Sequence, residues 1–251
     1  MTTLPPVAAA TGLPLVMISG WAMHRRVWNE LVVLLAQHYR VICIDLPGHG
    51  GVPSWPGWTL ADFADRLAVT FKEPAVWLGW SLGGQVALEV AIRNRANVIG
   101  LVLIGTNPKF VATEDWPGMS SAAFNAFVEG IKADERSALN RFLSLVCQGG
   151  TGKTLRRMHR VWRELPPPCR DDLLQGLAVL RDTDLRPGLS GIEVPVTVIA
   201  GEGDVLVPLK ASRLLAAALS RGRLVVVKEG GHAPFLDNPE GLLAAMDELT
   251  E

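Results

Sequence analysis

Six short apolar runs constrain this chain more than any other feature. They fall at residues 15–18, 41–44, 76–78, 101–104, 196–199 and 224–227. None alternates with polar residues as a strand with one wet face would, so each reads as a parallel strand covered on both sides. Stretches with apolar residues at helical spacing separate most of them, at 28–37, 60–71, 83–93 and 209–219. Thr59, with Asp62 three residues on, is placed to cap the second of these helices. Strand–helix alternation of this kind predicts a doubly wound α/β fold, a mostly parallel sheet with helices on both faces.

The interval between Ile104 and Val194 breaks the rhythm. It holds no convincing strand and four helical stretches, at 122–131, 135–146, 154–164 and 170–180, with Pro166-Pro167-Pro168 between the last two. The expected organisation is therefore a core of residues 1–109 and 187–251 with a helical insertion at 110–186, carried on the C-terminal side of the sheet. Such insertions often act as lids over a site. At 251 residues the chain is long for an average domain and ordinary for one large α/β domain with an insertion.

Composition narrows the class further. With 49% hydrophobic and 20% charged residues, a disordered or collagen-like chain is excluded. A formal net charge of −1 argues against a nucleic-acid partner. No apolar stretch reaches the roughly 18 residues of a membrane span. Residues 1–10 hold two prolines and no Lys or Arg, unlike a signal peptide, so a cytoplasmic protein is expected. Cys43, Cys147 and Cys169 match no metal or redox spacing and read as free thiols of a reducing compartment. No metal or cofactor is expected, and a monomer is.

The sharpest chemical signal is Gly79-Trp80-Ser81-Leu82-Gly83, a G-x-S-x-G sequence between the strand at 76–78 and a helix. A strand-to-helix turn this tight lifts the serine oxygen clear of the backbone and sets it before a helix N-terminus, which favours negative charge. Ser81 is thus the candidate nucleophile. A serine needs a base, and the base an orienting carboxylate, in the chain order Ser, acid, His. Only His159 and His232 follow Ser81. His159 lies among arginines and reads as a surface residue. His232, in Gly230-Gly231-His232-Ala233-Pro234-Phe235 just after the last predicted strand, is the candidate base. Asp204 is the preferred acid, in the loop after the strand at 196–199, with Glu202 as runner-up. Backbone N–H groups of Trp21 and Leu82 are candidates for an oxyanion hole. Trp21 and Trp80 flank the predicted site and, with Phe142, are placed to wall an acyl channel. Trp28, Trp77 and Trp162 read as packing, and His49, in Asp45-Leu46-Pro47-Gly48-His49-Gly50, reads as structural.

Taken in order, Ser19-Gly20-Trp21, the Asp45 to Gly50 turn, the Ser81 elbow, the loop 201–208 and the loop 230–235 resemble the α/β-hydrolase superfamily across essentially the whole chain. A narrower resemblance rests on Gly20-Trp21-Ala22-Met23, Trp77 to Gly84, Trp116-Pro117-Gly118-Met119, Arg141-Phe142-Leu143-Ser144-Leu145 and His232-Ala233-Pro234-Phe235. These are similar to the pimeloyl-[acyl-carrier protein] methyl ester esterases of biotin synthesis. That likeness implies hydrolysis of a methyl ester on a pimeloyl chain thioester-linked to acyl carrier protein. It also implies substrate contacts from Trp21, Ser81, Leu82, Phe142, Leu143, Ser144, Leu145, Val146 and His232.

Charge distribution adds an independent hint. From Arg136 to Arg163 the chain carries seven basic residues and no acidic one, leaving −8 on the rest. Arg156, Arg160 and Arg163 share a helical face at i, i+4 and i+7, where like charges repel unless something acidic answers them. Acyl carrier proteins are acidic and bear a phosphopantetheine phosphate, so Arg141, Arg156 and Arg160 are candidate docking residues. A free small ester, a lactone or a C–C bond remains the alternative substrate. A non-catalytic scaffold is disfavoured by the complete Ser-Asp-His set, and a dehalogenase by serine at the elbow.

Overall fold

The computed structural model describes residues 12–93 and 97–247; the expectation for residues 1–10 lies outside them. All six predicted strands are present: β1 (Leu13–Ile18), β2 (Tyr39–Ile44), β3 (Ala75–Trp80), β4 (Val98–Ile104), β5 (Val196–Gly201) and β6 (Gly222–Val227). They form one sheet in the order β2-β1-β3-β4-β5-β6, and every pairing is parallel. The central strands β3 and β5 are buried at each residue. The strands at the two ends of the sheet depart from expectation: β6 is only half-buried throughout, and β2 is half-buried at four of its six positions. An apolar run marks a strand but carries no record of whether a neighbour pairs on both sides.

The helices follow the predicted order. They are α1 (Asn29–Leu35), α2 (Leu60–Thr70), α3 (Leu82–Arg93), α4 (Ser121–Ala133), α5 (Glu135–Cys147), α6 (Gly152–Trp162), α7 (Arg170–Asp182), α8 (Leu209–Ala218) and α9 (Pro239–Asp247). The stretch expected as a helix from Trp28 instead opens with a 3-10 turn at Arg25–Trp28, and α9 had no counterpart in the sequence reading. Helices α4 to α7 fill the connection between β4 and β5, where the described residues show only isolated bridges, Val111–Met119 and Thr113–Trp116. No helix among the described residues is long and apolar enough to cross a membrane.

Helix α2 shows how local sequence sets an element. Thr59 accepts from the Asp62 amide while the Asp62 carboxylate accepts from the Thr59 amide, a complete capping box. Leu60, Phe63, Ala64 and Leu67 then form the buried stripe, and α2 packs on α3. The topology places the site. From β1 the chain moves outward to β2 and returns to β3 on the other side of β1, so the crevice beyond the carboxyl ends of β1 and β3 is the switch point of the sheet. Register sets Ile18 beside Gly79 there.

Replacing Thr59 with Ala removes one half of the capping box and is expected to lower stability by about 1 kcal/mol, a fall in Tm of roughly 2–4 °C. Thermal denaturation followed by circular dichroism measures it, and an unchanged Tm would show that α2 does not depend on its cap.

Candidate active site

Strand β3 becomes α3 within one residue, Ser81, whose φ is 56°. A residue with a side chain adopts this left-handed conformation only where its surroundings impose it. The Ser81 amide donates to the Ile104 carbonyl at 2.9 Å, pinning the turn to the end of β4. The flanking glycines are steric necessities. A Cβ on Gly79 would lie 2.3 Å from the Gly83 carbonyl oxygen, and one on Gly83 would lie 2.3 Å from that of Ile18. Helix α3 therefore starts hard against the end of β1. As its first residue, Leu82 has an N–H without an intrahelical acceptor.

His232 and Asp204 meet at the carboxyl ends of the last two strands. His232 Nδ1 lies 2.8 Å from Asp204 Oδ2, with both side chains almost fully buried. A carboxylate only accepts, so Nδ1–H donates and Nε2 is left as the free base. The other Asp204 oxygen accepts from the Leu206 and Val207 amides at 2.8 and 3.0 Å, which fixes the carboxylate in its loop. Glu202 is exposed. Trp80 does not line the cavity at Ser81. It lies behind the base, its Nε1–H donating to the His232 carbonyl at 2.8 Å and its ring packed among Trp28, Phe235 and the imidazole.

The loop after β1 approaches Ser81 from the other side. A Cβ on Gly20 would stand 3.2 Å from the Ser81 Cβ. Ala22 has φ 59°, and its amide donates to His49 Nε2 at 3.1 Å, while His49 Nδ1–H donates to the Pro47 carbonyl at 2.8 Å. Both ring nitrogens are thereby committed in a fully buried, neutral imidazole, and burial lowers its pKa to about 4. His49 is structural, as expected, but its structure is that of the loop carrying Trp21. Burial also pushes the Cys43 thiol up to about 12 and the Cys147 thiol up to about 11, so neither is a thiolate at neutral pH.

Ser81 and His232 open into a cavity of about 200 Å³ walled by Trp21, Phe110, Phe127, Phe142, Leu177 and other apolar side chains. Of the contiguous stretch 142–146, helical phase sends only Phe142 and Leu145 into the cavity. Leu143 and Val146 turn into the core, and Ser144 faces solvent with its hydroxyl on the Asn140 carbonyl. Arg141, exposed, lines the same cavity. Arg156 and Arg160 lie apart from it, beside Arg163 and the exposed His159 around an open depression on α6. None of these three arginines makes an ion pair among the described residues, whereas Arg157 turns inward to Glu30 at 2.9 Å and to the Leu236 carbonyl.

A model of the alpha/beta hydrolase family matches residues 15–245. The chain belongs to that family. A pimeloyl-[acyl-carrier protein] methyl ester esterase of Nitrosomonas europaea is 36% identical, over 99% of this chain and 100% of that protein. One from Yersinia pseudotuberculosis is 35% identical over 90% and 88%. Among solved structures, an esterase from Exiguobacterium antarcticum superposes with a TM-score of 0.86 at 26% identity, covering 96% of this chain and 93% of that one.

For this α/β hydrolase, Phe110, Phe127 and Leu177 are among the cavity walls that the sequence did not single out. Phe127 carries a signal, since it follows Phe124 by three residues on one helix; which of the two faces the cavity depends on how α4 is docked. His49 supplies a test of the Trp21 loop. Below pH 6.5 an unfolded chain protonates this imidazole and the folded one does not, so acidification toward pH 4 costs about 3 kcal/mol at this residue alone. His49→Gln, which keeps an acceptor for the Ala22 amide, is expected to flatten stability between pH 6.5 and 4 relative to wild type. Urea midpoints across that range decide it; parallel profiles would place the acid sensitivity elsewhere.

Proposed function

We propose that this protein is a serine carboxylester hydrolase that demethylates pimeloyl-[acyl-carrier protein] methyl ester, a cytoplasmic step of biotin synthesis. The observation that carries the hydrolase reading is the buried Asp204–His232 pair opening, with Ser81, into one apolar cavity. The methyl-ester substrate and its carrier are supported by the names of relatives that align over nearly the whole chain.

In this reading Ser81 Oγ attacks the ester carbonyl and His232 Nε2 takes its proton. Asp204 holds the imidazole tautomer and stabilises the imidazolium. The N–H groups of Trp21 and Leu82 receive the charge that develops on the carbonyl oxygen, assisted by the positive end of α3. His232 returns the proton to the departing methoxide, which leaves as methanol. A water molecule, deprotonated by the same base, then cleaves the acyl-enzyme and frees the carboxylate.

Residues 110–186 serve as the lid, with Phe127 and Phe142 gripping the acyl chain. The arginines of α6 without an ion pair among the described residues, Arg156 and Arg160, receive the acidic carrier, and Arg141 stands at the cavity where the carrier's phosphate arm enters. Such a field acts mainly on encounter, so its effect is screened by salt.

Ser81→Ala is expected to abolish hydrolysis of short p-nitrophenyl esters; activity retained above background would remove Ser81 from the mechanism. The double reversal Arg156→Glu with Arg160→Glu is expected to lower kcat/KM for the carrier-bound methyl ester by about tenfold or more at low salt. The deficit shrinks as salt rises, and p-nitrophenyl acetate is spared. Equal losses on both substrates would count against carrier docking and favour a free small ester.

A further inference from the structure

Gly176 sits in the middle of α7, where glycine costs about 1 kcal/mol relative to alanine. Its neighbour accounts for it. A Cβ at this position would stand 2.6 Å from Cδ1 and 3.0 Å from Nε1 of Trp21. One turn earlier on the same face, the Leu173 carbonyl accepts the indole N–H at 2.8 Å. The missing side chain is thus a notch in α7 that receives the edge of the indole, and the carbonyl below fixes its direction. On its other side the indole meets Phe142 edge-on at 4.8 Å and Phe127 at 5.3 Å, and those two rings stack at 5.9 Å. Trp21 is only 2% exposed. Buried as it is, an indole pushed out of the notch presses toward the phenyl rings and the cavity it shares with them.

We propose that Gly176 is a specificity-determining residue: by holding the Trp21 indole back in α7 it sets the bore of the acyl cavity, and hence the chain length admitted. A methyl group at 176 must drive the indole on the order of 1 Å to regain ordinary carbon–carbon contact. In a cavity of about 200 Å³ that displacement falls on the distal part of a long acyl chain and spares an acetyl group. The inference rests on reading the Ser81 cavity as the acyl site.

The test is kcat/KM for p-nitrophenyl acetate, butyrate, hexanoate and octanoate with wild type, Gly176→Ala and Ser81→Ala. For Gly176→Ala the octanoate-to-acetate ratio is expected to fall at least about tenfold below wild type, graded with length. A ratio within about twofold of wild type overturns the inference, including when all four esters decline together, since uniform loss reports a shifted Trp21 backbone rather than a narrowed bore. Should Gly176→Ala not fold, it is combined with Phe127→Ala, which makes room for the indole, and compared with Phe127→Ala alone under the same criterion. Turnover that survives Ser81→Ala overturns the site reading and this inference with it. An inactive Ser81→Ala beside an unchanged ratio overturns the inference alone.

Discussion

The left-handed backbone at Ser81 organises what surrounds it. Holding a residue with a side chain at φ 56° costs on the order of 1–3 kcal/mol, so the conformation persists only where the neighbourhood enforces it. Three elements do so. The end of β1 lies so close to α3 that position 83 admits only glycine, the end of β4 accepts the Ser81 amide, and Gly20 brings the next loop into van der Waals range of the Ser81 Cβ. The strain sits where three parallel strands already converge, and their buried ladders hold it. The same convergence sets the loop that carries Trp21 and the start of α3 beside the proposed nucleophile.

The helices between β4 and β5 are anchored to the loops that bear the proposed catalytic groups. Where the segment begins, Asn107 accepts from Trp116 Nε1 and, through its carbonyl, from Gln85 one turn along α3 from Ser81. At the α5–α6 turn Gly149 packs backbone to backbone on Gly203, beside Asp204, and Thr151 and Thr154 donate to Asp237, which closes the short helix after His232. His24, in the loop after β1, meets the Val161 carbonyl of α6. Trp21 holds α7. Most of these ties are buried or half-buried polar contacts whose loss would strand a donor or acceptor, so they brace the helices over the site.

Much of this was legible in the chain itself, for identifiable reasons. Parallel strands read as unbroken apolar runs, the half-buried end strands β2 and β6 included, so all six appeared at their places. The elbow glycines mark backbone contacts, and the order Ser81, Asp204, His232 follows from which strand ends face the crevice. What escaped depends on distances that no local pattern encodes. Helical periodicity gives two faces to α5 but not which one meets the cavity, so Phe142 and Leu145 could not be told from Leu143 and Val146. Trp80 looked like a wall because it adjoins Ser81 in sequence, yet alternation along β3 turns its side chain away from that of its neighbour and behind His232. The reason for a glycine at 176 in the middle of α7 lies in Trp21, 155 residues earlier, a contact that no local pattern encodes.

Two kinds of recognition are thereby separated in space and in physics. The cavity, on the proposed function, acts at contact range: aromatic walls discriminate by shape, and displacement of one ring by about 1 Å is what the Gly176 proposal invokes to change which chains fit. The proposed action of the α6 arginines reaches over roughly a Debye length of 8–10 Å and discriminates little by shape; a field of that kind raises the encounter rate of an acidic body and orients it. A protein-bound ester would call on both, because a whole protein cannot enter a cavity of about 200 Å³ and an acyl chain carries too little charge to be steered. Arg141 belongs to both settings, exposed like Arg156 and Arg160 yet lining the cavity that Ser81 opens into.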